Sequence, residues 1–122
     1  MKRLAAGDVM FKRVLILGVV LIGFAAAPGL CVASPDTIEV KIEHFAYVPE
    51  IVKVAPGDTI VFVNEDIVPH TATAADQSWT TGEIAHGESA RVIIPENAGA
   101  DYFCAFHPMM TGRLMIAPAE AH

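Results

Sequence analysis

Three metal-binding side chains lie close together near the C-terminus. Cys104, His107 and Met110 supply a thiolate, an imidazole and a thioether, each three positions after the last. Soft sulfur and imidazole suit copper, and one Cys with two His and a long axial Met is the ligand set of blue-copper sites. The segment therefore predicts a copper site if a second histidine reaches it from elsewhere in the chain. His70, which follows a strand-like run and Pro69, is the candidate.

The elements that must position these residues are short β-strands. Runs rich in Val, Ile, Thr and Phe alternate with polar residues or are separated by Gly, Pro, Asn and Asp, as strands and turns are. Pro56 and Gly57 occupy the second and third positions of a predicted type II turn. So many short strands at close spacing predict an all-β sandwich or barrel. The predicted strands cover residues 37–44, 51–54, 59–64, 70–74, 91–94, 101–104 and 112–117.

The predicted strands place the metal-binding side chains at one end of the sandwich. Cys104 ends a strand, and His107 and Met110 follow on the short connection to the next strand. His70 begins a different strand, after a loop that we expect at the same end. Ligands on end loops of a rigid sheet scaffold are typical of metal sites.

The first 33 residues have the pattern of a cleaved signal peptide. Four basic residues lie within residues 1–13, residues 14–27 are largely apolar, and a small-residue segment ends at Ala33. This order matches the charged region, apolar region and cleavage site of an exported protein. We expect cleavage after Ala33, with residues 25–27 as the alternative site and an uncleaved N-terminal anchor as the alternative topology. The mature domain is then residues 34–122.

Removing the leader changes both the charge and the cysteine count. Residues 34–122 carry 4 basic and 13 acidic residues, a net charge of −9 with His neutral. This balance excludes nucleic-acid binding, which needs clustered Lys and Arg, and it suits a basic partner. Cys31 leaves with the leader, so Cys104 has no cysteine to pair with inside the domain. A lone cysteine in an exported protein calls for a metal, a partner thiol or burial.

The sequence resembles the cupredoxins, and within them the amicyanin and plastocyanin-like group. The resemblance covers nearly all of residues 34–122. The two-residue gaps from Cys104 to His107 and from His107 to Met110 match the short ligand loop of amicyanins. The other matching segments are residues 45–49, 52–54, 56–60, 62–64, 69–71 and 102–110, together with Asp66.

This resemblance implies a Greek-key β-sandwich of about seven to eight strands that holds one type 1 copper. It assigns His70, Cys104 and His107 as equatorial ligands and Met110 as the axial ligand, with Met109 as the rival axial ligand. It implies a monomeric periplasmic one-electron carrier, not an enzyme and not inserted in the membrane after cleavage. Its partners would be redox proteins such as a c-type cytochrome or a periplasmic dehydrogenase. The alternative function is periplasmic copper binding and delivery without electron transfer.

The sequence departs from its relatives at two positions beside the ligands. Thr71 follows the first histidine, where the relatives often have Asn; its hydroxyl is expected to tie the ligand loops together in part. Phe106 precedes the second histidine, where the relatives usually have Pro. Phe106 has the backbone N–H that proline lacks. We expect that N–H to point at the Cys104 sulfur and to raise the reduction potential, as outer hydrogen bonds to a metal ligand do.

Overall fold

The computed structural model describes residues 34–118, which form β-strands and connecting loops. The predicted signal peptide, residues 1–33, lies outside the described residues. Residues 34–118 contain no helix, and therefore no helix that is long and apolar enough to cross a membrane. The strands are β1 (Thr37–Glu43), β2 (Ala46–Val48), β3 (Ile51–Val54), β4 (Thr59–Asn64), β5 (Thr73–Ala74), β6 (Ser89–Ile93), β7 (Asp101–Phe103) and β8 (Thr111–Ile116).

The eight strands form two four-stranded sheets. One sheet has the order β2-β1-β4-β6 and the other the order β3-β8-β7-β5. Each sheet contains one parallel pair, β1 with β4 and β3 with β8, among antiparallel neighbours. This two-sheet arrangement confirms the predicted all-β sandwich.

Alternation along the strands builds the core between the sheets. In β4, Ile60, Phe62 and Asn64 are buried while the residues between them are partly exposed. An aromatic cluster fills the centre, with Tyr102 at 4.7 Å from Tyr47 and 5.7 Å from Phe62 between ring centroids. Trp79 stacks on Phe62 and donates its indole N–H to the carbonyl of Gly99, so it closes the core as a structural residue.

The turn at residues 55–58 confirms its prediction. Gly57 has a φ of +96°, which only glycine adopts readily. The N–H of Asp58 donates to the carbonyl of Ala55 at 3.0 Å. The Asp58 carboxylate also accepts from the N–H groups of Ala55 and Asp36, so this turn fixes the start of β1.

Two strand predictions differ from the structure. The predicted strand at residues 70–74 is shortened to Thr73–Ala74, and His70 forms an isolated bridge with Ile84 instead. The strand β2 is absent from the prediction, because it is only three residues long and its turn with β1 contains no glycine. Gly112 lies inside β8 opposite Tyr102. A Cβ at this position would collide with the tyrosine ring, so glycine is required for packing.

Candidate metal centre

The loop from Cys104 to Met110 is closed by backbone hydrogen bonds between its chemically active residues. The N–H of His107 donates to the carbonyl of Cys104 at 3.1 Å, and the N–H of Met110 donates to the carbonyl of His107 at 2.9 Å. The N–H of Cys104 donates in turn to the carbonyl of Met110 at 3.1 Å. The three bonds form a ring, so the loop between β7 and β8 holds these side chains in a fixed relation without a metal.

His70 reaches the same place from the segment between β4 and β5. It is fully buried, and its N–H and C=O groups exchange hydrogen bonds with Ile84. Its Nε2 lies 2.8 Å from a carboxylate oxygen of Asp66. An ionised carboxylate only accepts, so Nε2 carries the proton in the neutral ring and Nδ1 is left with a free lone pair. That lone pair faces the Cys104 sulfur.

The distances among the donor atoms fit a trigonal metal site. The sulfur of Cys104 lies 3.7 Å from Nδ1 of His70 and 3.7 Å from Nδ1 of His107. Metal bonds of about 2.3 Å to thiolate and about 2.0 Å to imidazole, at an angle of about 120°, separate S and N by about 3.7 Å. The donor atoms of all three residues lie within 4.8 Å of one another. The structure therefore brings three of the four predicted ligands, His70, Cys104 and His107, to one point.

The two adjacent methionines have opposite environments. Met110 is 5% exposed and belongs to the core, whereas Met109 is 93% exposed. Met110 is also bonded through its backbone to Cys104 and His107. Met110 therefore lies in the same buried cluster as Cys104, whereas Met109 faces solvent.

Thr71 links the two ligand segments through its N–H and its hydroxyl. Its N–H donates to the Cys104 sulfur at 3.3 Å, and its hydroxyl accepts from the N–H of Ala105 at 2.8 Å. Its carbonyl accepts from the hydroxyl of Tyr47. The sulfur hydrogen bond expected from Phe106 thus comes from Thr71, and within the described residues Phe106 makes none to the sulfur. The hydroxyl does the loop-tying expected of it.

Asp66 is a site residue whose role sequence reasoning missed. Besides His70, its carboxylate accepts from the backbone N–H groups of His44 and Phe45, at 2.8 and 2.9 Å. Burial works to raise the Asp66 pKa, but the hydrogen bonds from Phe45, His44 and His70 outweigh it and hold the pKa below its usual value. The carboxylate is therefore a fixed acceptor that joins the β1–β2 turn to His70. In the sequence it is marked only by its match to the cupredoxin pattern and by its position four residues before His70.

Comparisons with known proteins agree with this fold. A family model described as the cupredoxin-like domain matches residues 13–116. Amicyanin from Paracoccus versutus is 30% identical over 86 residues, which cover 66% of this chain and 65% of that protein. A purple cupredoxin from Nitrosopumilus maritimus superposes with a TM-score of 0.59 at 22% identity, over 66% of this chain and 99% of that one.

An amicyanin variant solved in its Cu(I) form superposes equally well. The TM-score is 0.59 at 26% identity, over 70% of this chain and 86% of that one. The family match extends over most of the sequence, and these structural matches cover 66–70% of it. The chain belongs to the cupredoxin family.

Proposed function

We propose that this chain is a one-electron carrier with a single type 1 copper, held by His70, Cys104 and His107 and, axially, by Met110. The observation that carries the proposal is the trigonal spacing of one buried sulfur and two imidazole nitrogens, at 3.7 Å each. A copper ion bound there would supply the Cu(II)/Cu(I) couple. The protein must keep the donor atoms in one arrangement in both oxidation states. The hydrogen-bonded loop from Cys104 to Met110 and the contact of Asp66 with His70 provide this rigidity.

Electrons would enter and leave the copper site through the ring of His107. His70 is fully buried, but His107 is partly exposed, so its ring connects the site to the surface. Exposed apolar side chains and prolines lie on the loops at this end, which suits the small interfaces of weak redox encounters. They are Phe45, Ile67, Pro69, Phe106, Pro108 and Met109.

The charge of the domain bears on the class of partner. Residues 34–122 are strongly acidic, with a net charge of −9. An acidic surface steers basic partners at a rate that falls with ionic strength. We therefore propose a basic redox protein as partner, such as a c-type cytochrome, in the periplasm to which the signal-peptide pattern points.

The optical spectrum of residues 34–122 with Cu(II) tests the proposal. We expect an intense visible thiolate-to-copper charge-transfer band that disappears on reduction and is abolished in Cys104→Ala. Met109→Leu is the matched control, because its side chain is exposed, and it should keep the band unchanged. Met110→Leu should shift the band. No band in the unaltered protein, or a band that survives Cys104→Ala, would overturn the site.

Copper delivery is the second candidate function, favoured by one observation. The Met109 thioether is 93% exposed directly beside the ligand loop, where it could receive Cu(I) from another protein. Metal exchange separates the two functions. A protein that yields Cu(I) rapidly to a competing chelator and shows no reversible redox couple is a delivery protein. Slow release with a reversible couple identifies the electron carrier.

A further inference from the structure

The turn between β1 and β2 has an unusual backbone for its residues. His44 and Phe45 form a two-residue hairpin loop, and both have positive φ, at 55° and 57°. Loops of this type favour Asn and Gly, because a side chain is strained in the left-handed region. A phenylalanine there is a clear exception. Strained residues persist only where the surrounding structure holds them, and they cluster at functional sites.

Asp66 is what holds this backbone in place. Its two carboxylate oxygens accept from the N–H groups of His44 and Phe45, at 2.8 and 2.9 Å. One of those oxygens also contacts Nε2 of His70 at 2.8 Å. The same carboxylate thus fixes the strained turn and one of the imidazoles.

The ring of Phe45 lies against both imidazoles of the metal centre. Its centroid is 5.3 Å from that of His70, with the planes at 87°, and 5.1 Å from that of His107, with the planes at 84°. Both are edge-to-face contacts, the arrangement that aromatic rings prefer. His44, the other residue of the turn, makes no ring contact of this kind within the described residues.

We propose that Phe45 is a positioning residue that fixes the orientation of both histidine rings, and that the chain keeps a strained phenylalanine in this turn for that purpose. The proposal rests on the proposed function in so far as the two histidines are metal ligands. Its effect on His107 matters most, because that ring is partly exposed and, within residues 34–118, has no carboxylate contact such as the one that holds His70. Phe45 supplies the missing restraint.

Two glycine substitutions in the same turn separate this role from backbone strain. Phe45→Gly and His44→Gly each place glycine at a positive φ and keep the N–H that Asp66 accepts. Neither should lower the unfolding midpoint of the copper-free protein by more than a few degrees, because glycine relieves the strain. Only Phe45→Gly removes the ring from the histidines, so His44→Gly is the matched control.

Copper release to a chelator is the first measurement. We expect release from Phe45→Gly to be about tenfold faster than from the unaltered protein, as the loss of two edge contacts implies. His44→Gly should release copper at the unaltered rate. Phe45→Tyr, which keeps the ring edge, should restore slow release. Equal release from Phe45→Gly and His44→Gly would overturn the proposal.

The imidazole NMR signals of the copper-free protein give a second measurement that needs no metal. We expect one fixed orientation of the His107 ring in the unaltered protein and in His44→Gly, and orientational averaging in Phe45→Gly. A His107 ring that stays fixed in Phe45→Gly counts against the proposal. If the unaltered protein shows no charge-transfer band with Cu(II), the copper function fails and the NMR comparison alone decides the role of Phe45.

Discussion

At the scale of single residues, Thr71 joins the two segments that carry the predicted donors. Its hydroxyl accepts from Ala105 and lies 3.0 Å from the hydroxyl of Thr73, which lies 2.8 Å from that of Thr80. Since the Thr71 oxygen is already an acceptor for Ala105, its own proton is free to point to Thr73. A short chain of threonine hydroxyls thus extends from the ligand loop to Thr80.

We predict that Thr71→Val destabilises the copper-free domain by about 1–2 kcal/mol, because valine keeps the shape but leaves the Ala105 N–H without its acceptor. Urea denaturation measures the change, with the slope of the transition unaltered. Thr73→Val is the matched control, one hydroxyl further out and partly open to water that can replace it. A loss for Thr73→Val as large as that for Thr71→Val would contradict this role.

At the scale of elements, the strands β7 and β8 hold the ligand loop between them. Their register pairs Tyr102 with Gly112, and the tyrosine ring occupies the space where a side chain at residue 112 would lie. This pair fixes how closely the two ends of the loop approach each other. The position of Cys104 relative to Met110 therefore depends on a glycine outside the site.

We expect Gly112→Ala to destabilise the domain by about 1–3 kcal/mol, the cost of overfilling a packed core. The double variant Gly112→Ala/Tyr102→Leu should recover part of that loss, because the smaller side chain vacates the space. Thermal unfolding of the two single variants and the double variant measures the coupling. Strictly additive losses would show that the methyl group and the ring do not meet.

Sequence patterns predicted the parts of the fold and site that depend on neighbours along the chain. The alternation of β1 and β4 and the spacing of Cys104, His107 and Met110 are local. The structure brings the donor atoms of Cys104 and His107 together with that of His70. The strand β2 was missed because its turn uses two strained residues where the usual signal is Asn-Gly. The roles of Asp66, Phe45 and the Thr71 N–H depend on contacts between distant segments, which no local pattern records.

At the scale of the whole molecule, both tyrosines of the chain are buried in one aromatic cluster. Burial raises the pKa of Tyr47 well above its ordinary value, with the charges of Cys104 and Tyr102 adding to the effect. Burial also raises the pKa of Tyr102, with Glu50 adding to it. The folded state therefore holds both phenols protonated at a pH where the unfolded chain releases their protons.

We predict that the copper-free domain loses stability above about pH 10, the ordinary tyrosine pKa. The pKa values of both tyrosines are raised in the folded state. Their contribution to the free energy of unfolding is therefore complete below that pH and is lost as the pH rises. With two tyrosines, the loss approaches about 2.7 kcal/mol per pH unit. Phenolate absorbance should appear in one step with unfolding.

Tyr102→Phe is the control for that loss, because the Tyr102 hydroxyl has no hydrogen-bond partner within the described residues. Above pH 10 the variant should lose stability with pH half as steeply as the unaltered protein. At neutral pH its free energy of unfolding should not be lower. Phenolate absorbance that rises before the fold opens would contradict the burial of these groups.

The parallel pairing of β3 with β8 has a consequence for how the metal centre is made. This pairing sets Ile51 opposite Arg113 and Val54 opposite Ile116. The last strand of the sandwich therefore pairs with a strand that lies far from it along the sequence. Pairs so distant along the chain close large loops and limit the rate of folding. We expect this pairing to form late in folding, and the proposed copper to bind after the sandwich is complete. Copper should slow the unfolding of the protein and leave its folding rate unchanged.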